Sequence, residues 1–255
     1  MKKMLFAGLL LLPPAMVAGV SALGDDGAAL SAKLETAMGA SARPAADSER
    51  DRNRRPVETL EFFGLRDDMR VVELLPGGGW YTRLLAPVLA ENGEFYIAYG
   101  TNRAREMLAD QPGFDNMKVT AEDARIARAE GARFYTVTNT DLGVEDVDMV
   151  LTFRNYHNFD AQSRAALNAS VFKALKPGGI YGVVDHTRRH MQPDDPENRR
   201  RMDPVLAIME IQAAGFELVA FSDLHYRPDD ELRFEVGRKT VTGNTDRWTL
   251  KFRKP

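Results

Sequence analysis

The stretch Val71-Val72-Glu73-Leu74-Leu75-Pro76-Gly77-Gly78-Gly79-Trp80-Tyr81-Thr82 carries an apolar strand into three glycines and then into the start of a helix. Glycine lets the backbone take positive φ and come close to a ligand. The helix expected over 80–90, with Leu84, Leu85, Val88 and Leu89 inward, offers unpaired N–H groups and a partial positive charge to a carboxylate or phosphate. Such a turn at the carboxyl end of a first parallel strand is where open α/β sheets bind ligands.

Reading outward, apolar strands alternate with amphipathic helices. A helix follows Pro56, with Val57, Leu60, Phe62 and Phe63 on its apolar face, and ends at Gly64. Beyond the glycines, strands are expected at 94–99, 134–138, 149–153 and 180–185. Helices are expected at 102–110, 121–130, 161–175 and 204–214. This is the pattern of a parallel sheet covered on both faces. The last two strands, 216–221 and 248–252, have only a polar link with Pro228, Gly237 and Gly243 between them, so they are free to pair antiparallel.

The 255 residues suffice for one substantial core, and 44% hydrophobic with 28% charged residues is ordinary for a globular chain. A net charge of −3 gives no global basic field for nucleic acid. The arginines at 50–55 and 199–201 read as solvated helix faces. Lys2 and Lys3, the apolar run from Met4 to Leu12, and small residues up to Ala22 have the layout of a cleavable secretory signal peptide, with Pro13 and Pro14 breaking the run. The expected organisation is therefore a signal peptide over 1–22, a flexible leader over 23–47 and one domain over 48–255. The mature protein is then periplasmic or secreted, with no stable membrane anchor. With no cysteine, disulfides, thiolate metal sites and a lipidated-cysteine anchor are excluded.

Two cofactors compete for the glycine turn. A dinucleotide fingerprint needs a third glycine where Thr82 stands, and an acid after the next strand where Tyr99-Gly100 stands. S-adenosylmethionine needs a tight turn, a helix start for its carboxylate, and an acid nearby, which Glu73 supplies. Methyl transfer asks the protein to align a nucleophile and to remove a proton. Arg154-Asn155-Tyr156-His157-Asn158 leaves the fourth strand at the same edge, offering His157 as a base and Asn155 and Asn158 as orienting groups. The bracing of a loop is the competing reading of this run. Asp185-His186 ends the fifth strand there; an Asp–His pair sets the tautomer of a base, although neighbours on a strand point oppositely. His190, four residues after His186, has metal-ligand spacing only if helical, and the segment reads as loop; no residue is assigned to a metal. His225 is expected at the surface and Trp248 in the core.

VVELLPGGGWY resembles motif I of class I S-adenosylmethionine-dependent methyltransferases. VDMVLTFRNYHNF resembles their fourth-strand motif, LKPGGIYGVVDH their fifth-strand region, and AGFELV with RWTLKFRKP their last two strands. More narrowly, the chain is similar to bacterial methyltransferases that carry signal peptides, through PGGGWYT, FRN-x-HN and DR-x-x-LKF-x-KP. The resemblance implies a Rossmann-like α/β fold: a seven-stranded, mostly parallel sheet of order 3-2-1-4-5-7-6, last strand antiparallel, with helices on both faces. It implies S-adenosylmethionine held by Glu73, Leu75, Gly77, Gly78, Gly79, Tyr81, Tyr99 and Arg154, with His157, Asn155 and His186 facing a small-molecule acceptor. Leu75 stands where the motif has its first glycine, and Tyr99 at or near the place of the acid that binds the ribose. A non-catalytic ligand-binding protein that keeps the fold is the alternative.

Overall fold

The computed structural model describes residues 22–255 other than 42, 110 and 112. The expected signal peptide falls almost wholly on 1–21, outside the described residues. The described residues form nine strands and eight α-helices. The N-terminal helices are α1 (Ala22–Met38), α2 (Ala45–Ser48), α3 (Asp51–Arg54) and α4 (Pro56–Phe63). The middle of the chain forms β1 (Arg70–Leu74), α5 (Thr82–Leu89), β2 (Glu94–Ala98), α6 (Asn102–Leu108), β3 (Lys118–Thr120), β4 (Arg125–Ala127), β5 (Thr136–Thr138) and β6 (Val147–Phe153). The remainder is α7 (Ala161–Ala174), β7 (Leu175–His186), α8 (Pro204–Ala213), β8 (Glu217–Ser222) and β9 (Arg247–Arg253).

Seven strands form one sheet in the order β3-β2-β1-β6-β7-β9-β8. All neighbours are parallel except β9, which runs antiparallel to both β7 and β8. This is the expected order. Side chains alternate between two cores, as a pleated strand buried on both faces requires. Val71, Met149, Leu151 and Val184 join Leu60, Phe63, Leu84 and Leu85 on one face. Val72, Val150, Val183 and Leu250 join Leu167, Val171, Ala207 and Ile211 on the other. A Cβ at Gly182 would stand 2.7 Å from Leu151 and 2.9 Å from Phe63, so only glycine lets α4 lie this close to β7.

Three expectations are corrected. The third strand of the sheet is Lys118–Thr120, not 134–138. Residues 121–130, expected to be helical, instead give β4, which pairs antiparallel with β5 as a separate ribbon. The segment is rich in helix formers, but Ile126 is its only large apolar residue, so a helix there would have no face to bury. The leader over 23–47, expected to be flexible, is ordered by α1: Leu30, Leu34 and Ala37 are buried at near-helical spacing in the core that α4 and α5 share.

The 223–246 link between β8 and β9 folds back over the carboxyl edge of the sheet. Arg201 donates to both carboxylate oxygens of Asp230 at 2.9 Å, and both side chains are buried. His225 is buried, not at the surface as expected, between Thr249 Oγ1 (2.7 Å) and the Arg54 carbonyl (3.0 Å). Trp248 lies in the core as expected.

Candidate active site

The carboxyl ends of β1, β6 and β7 open onto one cleft of about 740 Å³. The glycine turn forms its floor. The helix starts at Thr82 rather than Trp80, and residues 77–81 form the turn before it. Gly77 has φ +59° and Gly79 φ +82°. The Gly79 N–H donates to the Pro76 carbonyl, whereas the Gly77 and Gly78 N–H groups make no hydrogen bond among the described residues. A Cβ at Gly77 would meet nothing within 4 Å, whereas one at Gly78 would stand 3.5 Å from Met107 and 3.6 Å from Arg103, so the turn is open to the cleft at Gly77 and flanked by side chains at Gly78.

Glu73 lies beneath the turn, 3% exposed, and accepts a hydrogen bond from Thr82 Oγ1 at 2.6 Å. Burial pushes its carboxyl up to about 7 against that bond and the charges of Arg54 and Arg154. A carboxyl raised on folding favours the folded state below its ordinary value and loses that advantage as pH rises through about 7. Wild type is therefore expected to lose on the order of 3 kcal/mol between pH 4.5 and 7.5 from this group. Glu73→Gln should flatten that slope in urea melts, and an unchanged slope would show that Glu73 ionises freely.

Tyr81 stacks on Phe153 at 3.5 Å and 11°, and both line the cleft. Trp80 beside them donates from Nε1 to the Asp47 carbonyl at 3.0 Å. Arg154 leaves β6 with φ +62° and lines the same cleft. Asn155, expected among the catalytic groups, is engaged as a brace: its amide donates to the carbonyls of Leu75 and Phe153, both at 3.1 Å. It ties the glycine turn to the end of β6.

The Asp185 carboxylate meets the imidazole of His157, not that of its neighbour His186. His157 Nδ1 stands 2.6 Å from Asp185 Oδ1, and the His157 backbone N–H donates to Oδ2 at 2.8 Å. Among the described residues His157 Nε2 makes no hydrogen bond, and the ring lines the cleft. A carboxylate on Nδ1 fixes the imidazole with its lone pair on Nε2, the arrangement a general base requires. His186 lines the cleft too, with Nδ1 2.9 Å from Thr245 Oγ1. Burial, with Arg247 and other cations nearby, holds its pKa well below the ordinary value, so it is neutral.

Tyr99 is not brought into this cleft. With φ +60° its side chain turns into the core and donates to the Thr140 carbonyl. Leu75, at φ +55°, and Ile126 stand over Gly100, each 3.8 Å from the position a Cβ there would take. They part the main cleft from a pocket of about 340 Å³ at the ends of β2 and β3. A third cavity, of about 410 Å³, shares Leu75, His157, Asn158 and Arg200 with the cleft and is walled by Phe134, Tyr135 and Phe159.

The arginines read as solvated faces are the residues that sequence reasoning missed. Arg50, Arg54 and Arg200 line the cleft, as does Arg83, which pairs with Asp47 at 3.1 Å. Arg54 is buried because Arg55, at φ +41°, and Pro56 end α3 there and turn the chain. Only Pro56 hinted at that break.

Solved structures share this architecture. An S-adenosylmethionine-dependent methyltransferase from Aquifex aeolicus superposes over 87% of this chain and 97% of its own, with TM-score 0.55 and 15% identity. The [4+2]-cyclase SpnF matches over 80% of each chain, with TM-score 0.55 and 15% identity. The glycopeptide N-methyltransferase MtfA complexed with sinefungin matches over 79% of this chain and 93% of its own, with TM-score 0.51 and 16% identity. No protein-family profile and no curated protein sequence matches the chain. At these identities the likeness is one of fold: the chain has the Rossmann-like fold of S-adenosylmethionine-dependent methyltransferases.

Proposed function

We propose that the protein is an exported S-adenosylmethionine-dependent methyltransferase acting on a small-molecule acceptor, periplasmic or secreted after cleavage of its signal peptide. The observation that carries the catalytic reading is that an open glycine turn and a carboxylate-held imidazole face one cleft. The export reading rests on Lys2, Lys3 and the apolar run that follows them.

The residues fit the cofactor at its amino-acid end. The Gly77 and Gly78 N–H groups are free to meet a carboxylate, and Glu73 lies below for an ammonium. S-adenosylmethionine, when bound, supplies an electrophilic methyl group on a sulfonium. His157 Nε2 takes the proton that the acceptor's nucleophile must shed, and Asp185 keeps the other ring proton on Nδ1 and balances the imidazolium charge. The stacked Tyr81 and Phe153 rings keep water from one wall. Asn155 holds the loop that carries His157 in register with the glycine turn.

One observation favours the second reading, a non-catalytic binder. Leu75 and Ile126 cover the end of β2, and Tyr99 stands at or near the place of the acid that would bind a ribose. A binder would take up the ligand and turn nothing over.

Calorimetry with S-adenosylhomocysteine tests the cofactor site. Wild type is expected to bind, and Gly77→Phe to bind about 100-fold more weakly, a loss of about 2.7 kcal/mol. The side chain would enter open cleft, so its cost to folding is the positive φ alone, about 1–2 kcal/mol. Equal affinity in the variant moves the site elsewhere, and no heat with wild type removes the methyltransferase reading.

A further inference from the structure

We propose that this cleft binds a small acceptor carrying at least two negative charges, a phosphate ester or a polycarboxylate, with Arg50, Arg54 and Arg154 as its counter-charges. The inference rests on the methyltransferase reading only in calling this anion the methyl acceptor; the anion site itself stands on the charges below.

Arg54 is 7% exposed and lines the cleft, and its Nε and Nη1 are buried without a hydrogen-bond partner among the described residues. Its guanidinium lies over the Trp80 ring at 4.3 Å, which orients the group without neutralising it. No carboxylate lies within 4.0 Å of Arg50, Arg54 or Arg154 among the described residues. Of the acids lining the cleft, Asp47 pairs with Arg83, and Glu73 accepts from Thr82 and forms no ion pair with an arginine among the described residues. Burial, with Arg154 adding to it, pushes the Arg54 guanidinium down to about 8.

Buried cations without partners are costly and are retained where a ligand supplies the missing charge. The cofactor does not supply it. S-adenosylmethionine carries one carboxylate against an ammonium and a sulfonium, so it adds positive charge to a cleft already in surplus. A second molecule must therefore bring the negative charge. Guanidinium forks match the oxygens of phosphates and carboxylates, and two or three of them suit a dianion better than a single carboxylate. His157 lines the same cleft and is then within it beside the bound acceptor.

The test titrates the full-length protein with pyrophosphate, citrate and acetate at constant ionic strength, beside a parallel titration with S-adenosylhomocysteine. Pyrophosphate or citrate is expected to bind at least tenfold more tightly than acetate. Binding of pyrophosphate alone identifies a phosphate ester, and of citrate alone a polycarboxylate. Arg54→Gln is expected to lose at least tenfold in that affinity yet to melt no lower than wild type without ligand, because an unpaired buried charge has gone; Arg54→Lys should recover part of the affinity. Equal affinity for acetate, or an Arg54→Gln variant that binds the dianion normally and melts far below wild type, would overturn the inference and make Arg54 a structural cation. S-adenosylhomocysteine binding without dianion binding overturns this inference and leaves the cofactor site. Dianion binding without S-adenosylhomocysteine binding supports the anion site and removes the cofactor reading.

Discussion

Asp185→Ala is expected to destabilise the protein by about 3–5 kcal/mol, because it strips the charge from a buried site and leaves its donors unpaired. Asp185 is fully buried, and three groups converge on it: His157 Nδ1 at 2.6 Å, the His157 N–H at 2.8 Å and the His186 N–H at 2.7 Å. It thus joins the end of β7 to the turn at 156–158 that follows β6. The midpoint of thermal unfolding should fall by roughly 6–20 °C. Asp185→Asn keeps an acceptor and the shape, and should fall less. A midpoint within 2 °C of wild type for the alanine variant, a margin smaller than 1 kcal/mol would produce at this length, would mean that His157 is held by something else.

His157→Ala should slow methyl transfer by about 10²- to 10⁴-fold, the usual worth of a positioned general base. Its affinity for S-adenosylhomocysteine should stay within about threefold, since an effect below 1 kcal/mol is all that a lost neighbouring contact leaves. The rate is read as S-adenosylhomocysteine released with an acceptor found by screening small phosphates and carboxylates. A drop in rate with affinity intact separates proton removal from binding. A normal rate would return His157 to the role that Asn155 plays, bracing one loop against another.

The alternation of strands with helices and the glycine turn were legible because both rest on local pattern, whereas the strand order came from the resemblance to class I methyltransferases. Continuous apolar runs such as 149–153 declare a doubly covered strand, and Gly77-Gly78-Gly79 between strand and helix declares a turn that approaches a ligand. Features that depend on which residues meet across the fold were not legible. Asp185 was visible as a partner for a histidine, but its pairing with His157 rather than His186 follows from the register of β6 against β7. Tyr99 stood near the place of a ribose acid, yet its positive φ turns the ring into the core. Residues 121–130 had helical composition without a helical apolar face, and composition misled.

The arginines show the same limit from the charge side. A run such as Arg50 to Arg55 is solvated on most helices, and nothing in its composition distinguishes Arg54. What distinguishes it is a two-residue break. Arg55 enters the left-handed region, Pro56 starts the next helix, and the preceding guanidinium is carried over Trp80 into the cleft. The ordered helix α1 has a related consequence: by covering α5 it makes residues 22–38 part of the domain rather than a leader.

A crystal structure of the protein soaked with S-adenosylhomocysteine tests most directly whether the glycine turn and the His157–Asp185 pair serve one reaction. The ligand's carboxylate should lie on the N–H groups of Gly77 and Gly78, with its sulfur facing the cleft wall that carries His157 Nε2. A ligand lodged beyond Leu75 and Ile126, with its sulfur turned away from His157, would contradict that account.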